Sequence, residues 1–309
     1  MTAPRILVVG SINMDIVALT ERLPTPGETI TGGTLLINHG GKGANQAVAA
    51  RRLGADVRFI GCVGEDTFGP ELRQSMAAEG IGVEGLTTIA GMHSGTAVIV
   101  VDTAGRNQIA VASGANLCLT VDWVERFLED FAWAQVVICQ LEVPLDTVLW
   151  TLRTARQHGA TTILNPAPAQ PVPPEIWPLV DYLTPNEVEA TQISGLPLTT
   201  LSDADNVARA LLAWGPRVAI LTLGAQGAFV GTLDHMVHIA AFPVTVVDST
   251  AAGDTFNAAL AVALAEGCPL AGAVRFANAA AGLACTQRGA QNSLPVRTQV
   301  DAFLADTRA

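Results

Sequence analysis

The stretch VVICQLEVPLDTVLWTLRTARQHGATTIL, residues 136–164, contains two short apolar segments separated by a longer segment of helical composition. Val136–Leu141 and Thr161–Leu164 have the length and apolar character of buried strands. A strand, a helix and a second strand in this order form the unit from which parallel sheets covered by helices are built. This stretch therefore predicts an α/β fold.

The same alternation continues on both sides of residues 136–164. Four more strands are predicted, at Ile6–Gly10, Val57–Gly61, Asp181–Thr184 and Val218–Leu223. Segments of helical composition, such as NQAVAARRLGA at 45–55, lie between most of them. We therefore expect residues 1–309 to form a single domain with a central, mostly parallel β-sheet flanked by helices.

Two segments interrupt this alternation. Residues 14–38 contain the turn residues Pro24 and Pro26-Gly27 and no long helical repeat, and residues 94–113 are typical of a hairpin around Thr103–Asn107. We expect the two segments to pair as a small antiparallel sheet that forms a lid inserted into the main domain.

Composition and charge exclude several classes of partner. Half of the residues are hydrophobic, and the net charge of −11 disfavours nucleic acid and anionic membrane surfaces, which need clustered cations. The apolar run Ile6–Val9 is too short for a signal peptide or a membrane span. The five cysteines lack C-x-x-C spacing, as expected for reduced thiols in the cytoplasm. We expect a small-molecule partner.

Polar residues follow four of the predicted strands. They are Asn13 and Asp15, Glu142, Asn186 and Glu189, and Thr222 with Gly224. Each one alone is typical of a turn or a helix cap. Because ligands of open α/β sheets bind beyond the carboxyl ends of the strands, four such ends together predict a binding cleft.

A glycine-rich loop leads into a predicted helix at residues 39–55, HGGKGANQAVAARRLGA. Its glycines allow the backbone to approach a ligand closely. It is not a P-loop, because Gly43 follows Lys42 where Ser or Thr is required. It is not a dinucleotide fingerprint either, because it does not directly follow the first strand. His235 and His238 are more typical of a solvated loop than of a metal pair.

The segment VDSTAAGDTFNAAL, residues 247–260, places Asp254 after small residues at the start of a predicted helix 252–266. The unpaired N–H groups of Ala252, Gly253 and Asp254 would stabilise negative charge there. A carboxylate at this point can take a proton from a hydroxyl that attacks a phosphoryl group. The alternative is a first-turn carboxylate that only complements the helix dipole.

Short motifs are distributed along the whole chain: GSINMD at 10–15, PTPGET at 24–29, GGKGANQAVAA at 40–50, NPAPA at 165–169, TPNEVEA at 184–190, TLGAQG at 222–227, VDSTAAGDTFNAAL at 247–260 and GAQNSLP at 289–295. In this order they resemble the PfkB-type (ribokinase-like) carbohydrate kinase family. The resemblance implies a three-layer α/β domain with a small β-sheet lid that contributes to a homodimer. It also implies transfer of the ATP γ-phosphoryl group to the 5-hydroxyl of D-ribose. A related kinase for deoxyribose, a ketohexose or a nucleoside, and a non-catalytic sugar-binding protein, are the alternatives.

The resemblance also implies a role for individual residues. Catalysis is assigned to Asp254 as the base and to Gly253 and Ala252 as the anion hole. Sugar binding is assigned to Asn13, Asp15, Gly41, Lys42, Gly43, Asn45, Glu142 and Asp254. Nucleotide binding is assigned to Asn186, Glu189, Thr222, Gly224, Gly227 and Asn278, with Glu189 organising the Mg²⁺-bound phosphates through water. A K⁺ loop that acts mostly through backbone carbonyls is assigned to Asp248, Thr250, Ala284, Gln287, Gly289 and Ser293. For Asn278, a core-facing helix amide is the alternative.

Overall fold

The computed structural model describes residues 2–307, in which strands and helices alternate along most of the chain. The strands are β1 (Arg5–Val9), β2 (Asn13–Leu19), β3 (Thr34–Gly40), β4 (Asp56–Gly64), β5 (Gly82–Ile89), β6 (Gly95–Val101), β7 (Asn107–Ala112), β8 (Val136–Cys139), β9 (Thr161–Leu164), β10 (Tyr182–Leu183), β11 (Val218–Thr222), β12 (Ala228–Gly231) and β13 (Met236–Ile239). The helices are α1 (Lys42–Arg52), α2 (Phe68–Ala78), α3 (Val121–Val124), α4 (Leu128–Trp133), α5 (Leu145–Gln157), α6 (Glu187–Ser194), α7 (Ala204–Leu212), α8 (Ala252–Ala265), α9 (Leu270–Ala284) and α10 (Arg297–Asp306).

The large sheet has the strand order β13-β12-β11-β10-β9-β8-β1-β4-β5. From β11 to β5 every neighbouring pair is parallel, and β12 and β13 extend the β11 edge as antiparallel strands. The predicted mostly parallel sheet is therefore confirmed. Because its strands are parallel, their carboxyl ends lie along one edge, where the polar side chains of the predicted cleft are found.

Apolar side chains cover both faces of this sheet. Ile6 and Val8 of β1 belong to one buried cluster, to which α1, α8 and α9 also contribute. Leu7 and Val9 belong to a second buried cluster, to which α5 and α7 contribute. Successive side chains of a strand point to opposite faces, so this division shows a three-layer structure with helices on both sides of the sheet.

A second sheet has the order β3-β2-β6-β7. It is formed by the two segments that interrupt the helix and strand alternation, but β2 and β6 pair in parallel, so the sheet is mixed and not antiparallel as predicted. The turn between β6 and β7 is closed by Asp102, whose Oδ1 accepts from the N–H groups of Ala104 and Arg106. That this sheet acts as an inserted lid remains a prediction.

Several elements differ from the sequence-based prediction. The strand predicted at Asp181–Thr184 is shorter in the structure, where only β10 is formed. Next to its start, the Thr162 N–H donates to the Asp181 side chain, whose Oδ2 accepts at 2.9 Å. His238 lies in β13 and its Nε2 is 2.7 Å from the carbonyl oxygen of Gln226, so the solvated-loop interpretation was wrong for this residue. Within residues 2–307 no helix is long and apolar enough to cross a membrane.

Candidate active site

The amino end of α8 supplies two candidate backbone donors for an anionic group. Neither the N–H of Gly253 nor that of Asp254 has a hydrogen-bond acceptor within residues 2–307. The N–H of Ala252 donates to the carbonyl of Ser249 at 3.2 Å, so the prediction that it is unpaired was wrong. A Cβ added to Gly253 would meet no atom within 4 Å. There is thus room for an anionic group beside two donors rather than three.

Ala251, the residue before α8, has a left-handed backbone with φ 59°. This conformation costs roughly 1–2 kcal/mol for a residue such as alanine, which has a Cβ and no polar side chain. It turns the chain sharply into the helix, and the first turn then begins at Ala252 as predicted. Nothing in the small-residue pattern of the sequence distinguished Ala251 from its neighbours.

The carboxylate of Asp254 is buried and held by two amides from α1. Asn45 Nδ2 donates to its Oδ2 at 2.9 Å and Gln46 Nε2 donates to its Oδ1 at 3.0 Å. Burial raises the pKa of Asp254, while the charge of Lys42 and the two amide hydrogen bonds oppose the increase. These hydrogen bonds fix the orientation of a carboxylate that can accept a proton.

Lys42, the first residue of α1, lies among carboxylates from different elements. Burial acts to lower the pKa of its ammonium group, but four carboxylates outweigh burial and raise the pKa above its ordinary value: Asp254, Glu142, Glu189 and Asp15. They come from separate elements, since Asp15 lies in β2, Glu142 follows β8, and the other two lie in the first turns of α6 and α8. The polar residues that the sequence assigned to one cleft are therefore close enough to interact through their charges.

Glu142 is oriented by the loop after β1 and by the start of α1. Ser11 Oγ donates to Glu142 Oε2 at 2.5 Å, and the backbone N–H of Lys42 donates to the same oxygen at 3.2 Å. A Cβ at Gly43 would lie 2.7 Å from the Ser11 nitrogen, so only glycine allows this close approach. Sequence reasoning missed Ser11, because a serine in a loop has no distinguishing pattern.

Asn13 is held by another residue that the sequence did not reveal. Asn116 Nδ2 donates to Asn13 Oδ1 at 2.7 Å, and Asn116 Oδ1 accepts from the N–H of Ile12 at 3.0 Å. Gly41 has φ 87°, and a Cβ there would lie 2.7 Å from the Asn13 nitrogen. The amide of Asn13 therefore has its carbonyl engaged, which leaves its Nδ2 as the donor for a ligand.

Asp15 lies on β2, with no hydrogen-bond partner for its carboxylate within residues 2–307. Burial, together with the charges of Glu142 and Asp254, raises the pKa of Asp15 to about 7, although Lys42 opposes this increase. Because the carboxylate has no partner among the described residues, its oxygens are available to accept hydrogen bonds from a polyhydroxylated ligand.

The residues assigned to the nucleotide form a neighbouring group. Asn186 caps α6 and forms a reciprocal capping box with Glu189, both hydrogen bonds measuring 2.9 Å. Thr222, the last residue of β11, pairs with Asn186 as an isolated bridge. Gly224 and Gly227, with φ 50° and 96°, form the turn that follows. These five positions meet at the carboxyl ends of β10 and β11.

Asn278 on α9 has a different environment. Its Nδ2 donates to the carbonyl oxygens of Ile239 at 3.0 Å and Ala240 at 3.3 Å. The side chain thus connects α9 to the chain that leaves β13, which agrees with the alternative of a structural amide.

The residues assigned to the K⁺ loop come from two segments that the structure joins. Asp248 Oδ2 accepts from the Gly289 N–H at 2.9 Å, and its Oδ1 accepts from the Thr250 N–H at 2.9 Å and hydroxyl at 2.6 Å. Burial alone would raise the pKa of Asp248, but these hydrogen bonds outweigh it and lower the pKa.

The remaining K⁺-loop residues lie in the second of these segments. The Ala284 carbonyl accepts from the Gln287 N–H at 3.3 Å, and Ser293 Oγ donates to the Ala290 carbonyl at 2.8 Å. The segment therefore leaves the end of α9 as a tight turn and returns beside Asp248, with Gly289 at the point of contact.

Comparison with known proteins identifies the family. The sequence model described as pfkB family carbohydrate kinase matches residues 3–297. This chain belongs to the pfkB family of carbohydrate kinases. Among pfkB-family relatives, it is 40% identical over 297 residues to the ribokinase of Haemophilus influenzae, covering 96% of this chain and 97% of that protein. It is 41% identical over 300 residues to the ribokinase of Bacillus subtilis, covering 97% and 99%.

A solved structure agrees with this assignment. The ribokinase of Arabidopsis thaliana, complexed with ribose and ATP, superposes with a TM-score of 0.90 at 32% sequence identity, covering 98% of this chain and 99% of that one. The predicted ribokinase-like fold of a pfkB-family kinase is therefore confirmed.

The raised pKa of Asp15 predicts a pH-dependent effect of Asp15→Asn on stability. Folded protein binds the proton up to about pH 7, whereas the unfolded chain releases it near 3.8, so wild-type stability falls as pH rises through this window. Asparagine does not titrate. The free energy of unfolding of the variant minus that of wild type should therefore increase by roughly 2 kcal/mol between pH 5 and pH 8.

Urea unfolding of both proteins at the two pH values measures this gain. Asp122→Asn, at an exposed position of α3, is the matched control and should show no such growth. If the difference in the free energy of unfolding between variant and wild type is equal at both pH values, the raised pKa of Asp15 is contradicted.

Proposed function

We propose that this pfkB-family kinase transfers the γ-phosphoryl group of ATP to the 5-hydroxyl of D-ribose. The observation that carries the proposal is the buried Asp254 carboxylate beside the two unpaired N–H groups at the start of α8. A proton acceptor and a site for phosphoryl charge lie at one point. The ribokinases among its relatives support ribose as the sugar.

The proposed reaction uses Asp254 as a general base. Its carboxylate accepts the proton of the 5-hydroxyl while the hydroxyl oxygen bonds to the γ-phosphorus and the bond from that phosphorus to the ADP oxygen breaks. The N–H groups of Gly253 and Asp254 donate to the phosphoryl oxygens. Removal of such a base typically lowers the rate about 10²- to 10⁴-fold.

The ribose site in this proposal is lined by groups of complementary chemistry. Carboxylates at Asp15 and Glu142 accept from sugar hydroxyls, while amides and the lysine donate to them: Asn13, Asn45 and Lys42. Gly41 and Gly43 keep the loop close enough for backbone contact. Such a site discriminates against sugars that lack a hydroxyl, because a buried polar group is then left unpaired.

The ATP site in this proposal lies next to the capping box of α6. Its residues lie at the strand ends beside the start of α8: Asn186, Glu189, Thr222, Gly224 and Gly227. No group of three or more His, Cys, Asp or Glu side chains suited to a metal occurs in residues 2–307. Mg²⁺ would therefore be held mainly by the phosphates, with Glu189 acting through water, and would neutralise phosphate charge. Dependence on ATP also supports a location in the cytoplasm.

A monovalent cation fits the loop around Asp248. This carboxylate is kept ionised by its hydrogen bonds and lies between two segments that carry backbone carbonyls. K⁺ bound there would hold the segment before α8 in place. kcat should be higher in KCl than in tetramethylammonium chloride, and equal values would contradict the proposal.

The small sheet supports a homodimer. Both of its faces expose apolar side chains, among them Leu35 and Ile109, which are 61% and 57% exposed. Pairing with a second copy would bury such surface. Light scattering at micromolar concentration should give a dimer mass, and a monomer mass would contradict the proposal.

Asp254→Asn is predicted to abolish turnover while preserving sugar binding. The amide has the shape of the carboxylate but cannot accept the proton, so kcat should fall at least about 100-fold. The ribose dissociation constant, measured by calorimetry, should change little. Asp301→Asn, at an exposed position of α10, is the control. A kcat above about one tenth of wild type would exclude Asp254 as the base.

Ribose is predicted to exceed 2-deoxyribose by at least about tenfold in kcat/KM. Loss of one hydroxyl partner leaves a buried charged group unpaired, which costs roughly 1–3 kcal/mol or more, and 1.4 kcal/mol corresponds to a factor of ten. Asp15→Ala should reduce this preference, whereas Asp122→Ala at an exposed position should not. A preference for 2-deoxyribose, fructose or adenosine would overturn the ribose assignment but leave the kinase assignment intact.

A further inference from the structure

We propose that Gln46, Gln140 and Asn165 are positioning residues that hold the Asp254 carboxylate in its reactive orientation through a chain of buried amides. This inference rests on the proposed role of Asp254 as the base. Of the three residues only Gln46 contacts Asp254, and none of them was assigned a role from the sequence.

The amide of Gln46 is satisfied in a single orientation. Its Nε2 donates to Asp254 Oδ1 at 3.0 Å and to Asn165 Oδ1 at 3.1 Å. Its Oε1 accepts from Gln140 Nε2 at 2.6 Å. Rotation of this amide by 180° would place its oxygen against two other oxygens and its nitrogen against the Gln140 nitrogen. Gln140 therefore reinforces the orientation of the Gln46 amide that the Asp254 carboxylate, which can only accept, requires.

Gln140 donates this hydrogen bond although the oxygen of its own amide is left unsatisfied. Its Oε1 is buried without a hydrogen-bond partner within residues 2–307. An unsatisfied buried acceptor is destabilising. A Cβ on Gly10 would lie 2.0 Å from this oxygen, so the side chain packs directly against the end of β1. Among the described residues, Gln46 is the one to which the side-chain amide of Gln140 is hydrogen-bonded.

The same chain of amides also reaches the anion site at the start of α8. Asn165 Nδ2 donates to the Thr184 carbonyl at 3.3 Å, and Thr184 Oγ1 donates to Asn257 Oδ1 at 2.6 Å. Asn257 Nδ2 in turn donates to the Gly253 carbonyl at 2.9 Å. The peptide that supplies an N–H group to the anion site is thus held by the same buried network as the base.

The charged groups around Asp254 oppose one another, so its hydrogen bonds affect its pKa. Lys42 of α1 favours the carboxylate form, whereas three other carboxylates disfavour it: Glu142 after β8, Asp15 of β2 and Glu189 of α6. A donor from Gln46 adds to the effect of Lys42. Loss of this donor would raise the pKa of Asp254 further, so the base would become protonated at higher pH.

Gln140→Met tests the inference, because Gln140 does not touch Asp254 and methionine keeps its length without a donor. We expect kcat to fall about tenfold, as for the loss of one directed hydrogen bond in a buried site, with the sugar KM within about twofold of wild type. The acidic limb of the kcat pH profile should move to higher pH. Gln46→Met should act in the same directions and more strongly.

Thr151→Val is the matched control, because Thr151 of α5 is also buried and its hydroxyl has no partner within residues 2–307. It should leave both kcat and the pH profile unchanged. If Gln140→Met does not yield folded protein, Gln140→Leu replaces it, since leucine also lacks the donor and is shorter, and the same changes in kcat and in the acidic limb are expected.

Two outcomes separate this inference from the proposed function. A Gln140→Met enzyme with wild-type kcat and an unmoved acidic limb overturns the positioning role, provided that Asp254→Asn is inactive. An active Asp254→Asn enzyme overturns the proposed function itself.

Discussion

The burial of several carboxylates around one ammonium group is the constraint on which the site depends. Lys42 begins α1, immediately after Gly41 with φ 87°, so a single tight turn delivers both the cation and the helix that supplies Asn45 and Gln46 to Asp254. Without that cation, burial would favour protonation of the neighbouring carboxylates even more strongly. The fold therefore places the start of α1 and the start of α8 together, and the large sheet provides the rigid support.

Much of the fold could be predicted from local patterns. Buried parallel strands such as β1, β8 and β9 appear as continuous apolar runs, and the helices between them have a distinct composition. β5, β12 and β13 could not be predicted, because short or glycine-containing strands at or next to the sheet edge are specified by their neighbours rather than by periodicity. The parallel pairing of β2 with β6 is equally a tertiary property.

Some residues of the site could likewise be predicted from the sequence, and others could not. Glu142 and Asp15 were found because charged residues after apolar strands are conspicuous, and Asp254 was found because it follows small residues at the start of an apolar helix. Asn116 and Gln140, by contrast, are neutral amides whose importance depends entirely on what they contact 94 to 104 residues away. No spacing rule encodes such contacts. The hydrogen bond from the Ala252 N–H to the Ser249 carbonyl could not be predicted from the sequence either, because it follows from the left-handed backbone of Ala251.

β1 of the large sheet ends at Val9 and β2 of the small sheet begins at Asn13, so three residues join the two sheets. Ser11, in the middle of that connection, is hydrogen-bonded to Glu142. Any rotation of the small sheet about this joint carries Asn13 and Asp15 with it. A movement of the small sheet about residues 10–12 would therefore also displace the part of the proposed sugar site that this sheet carries.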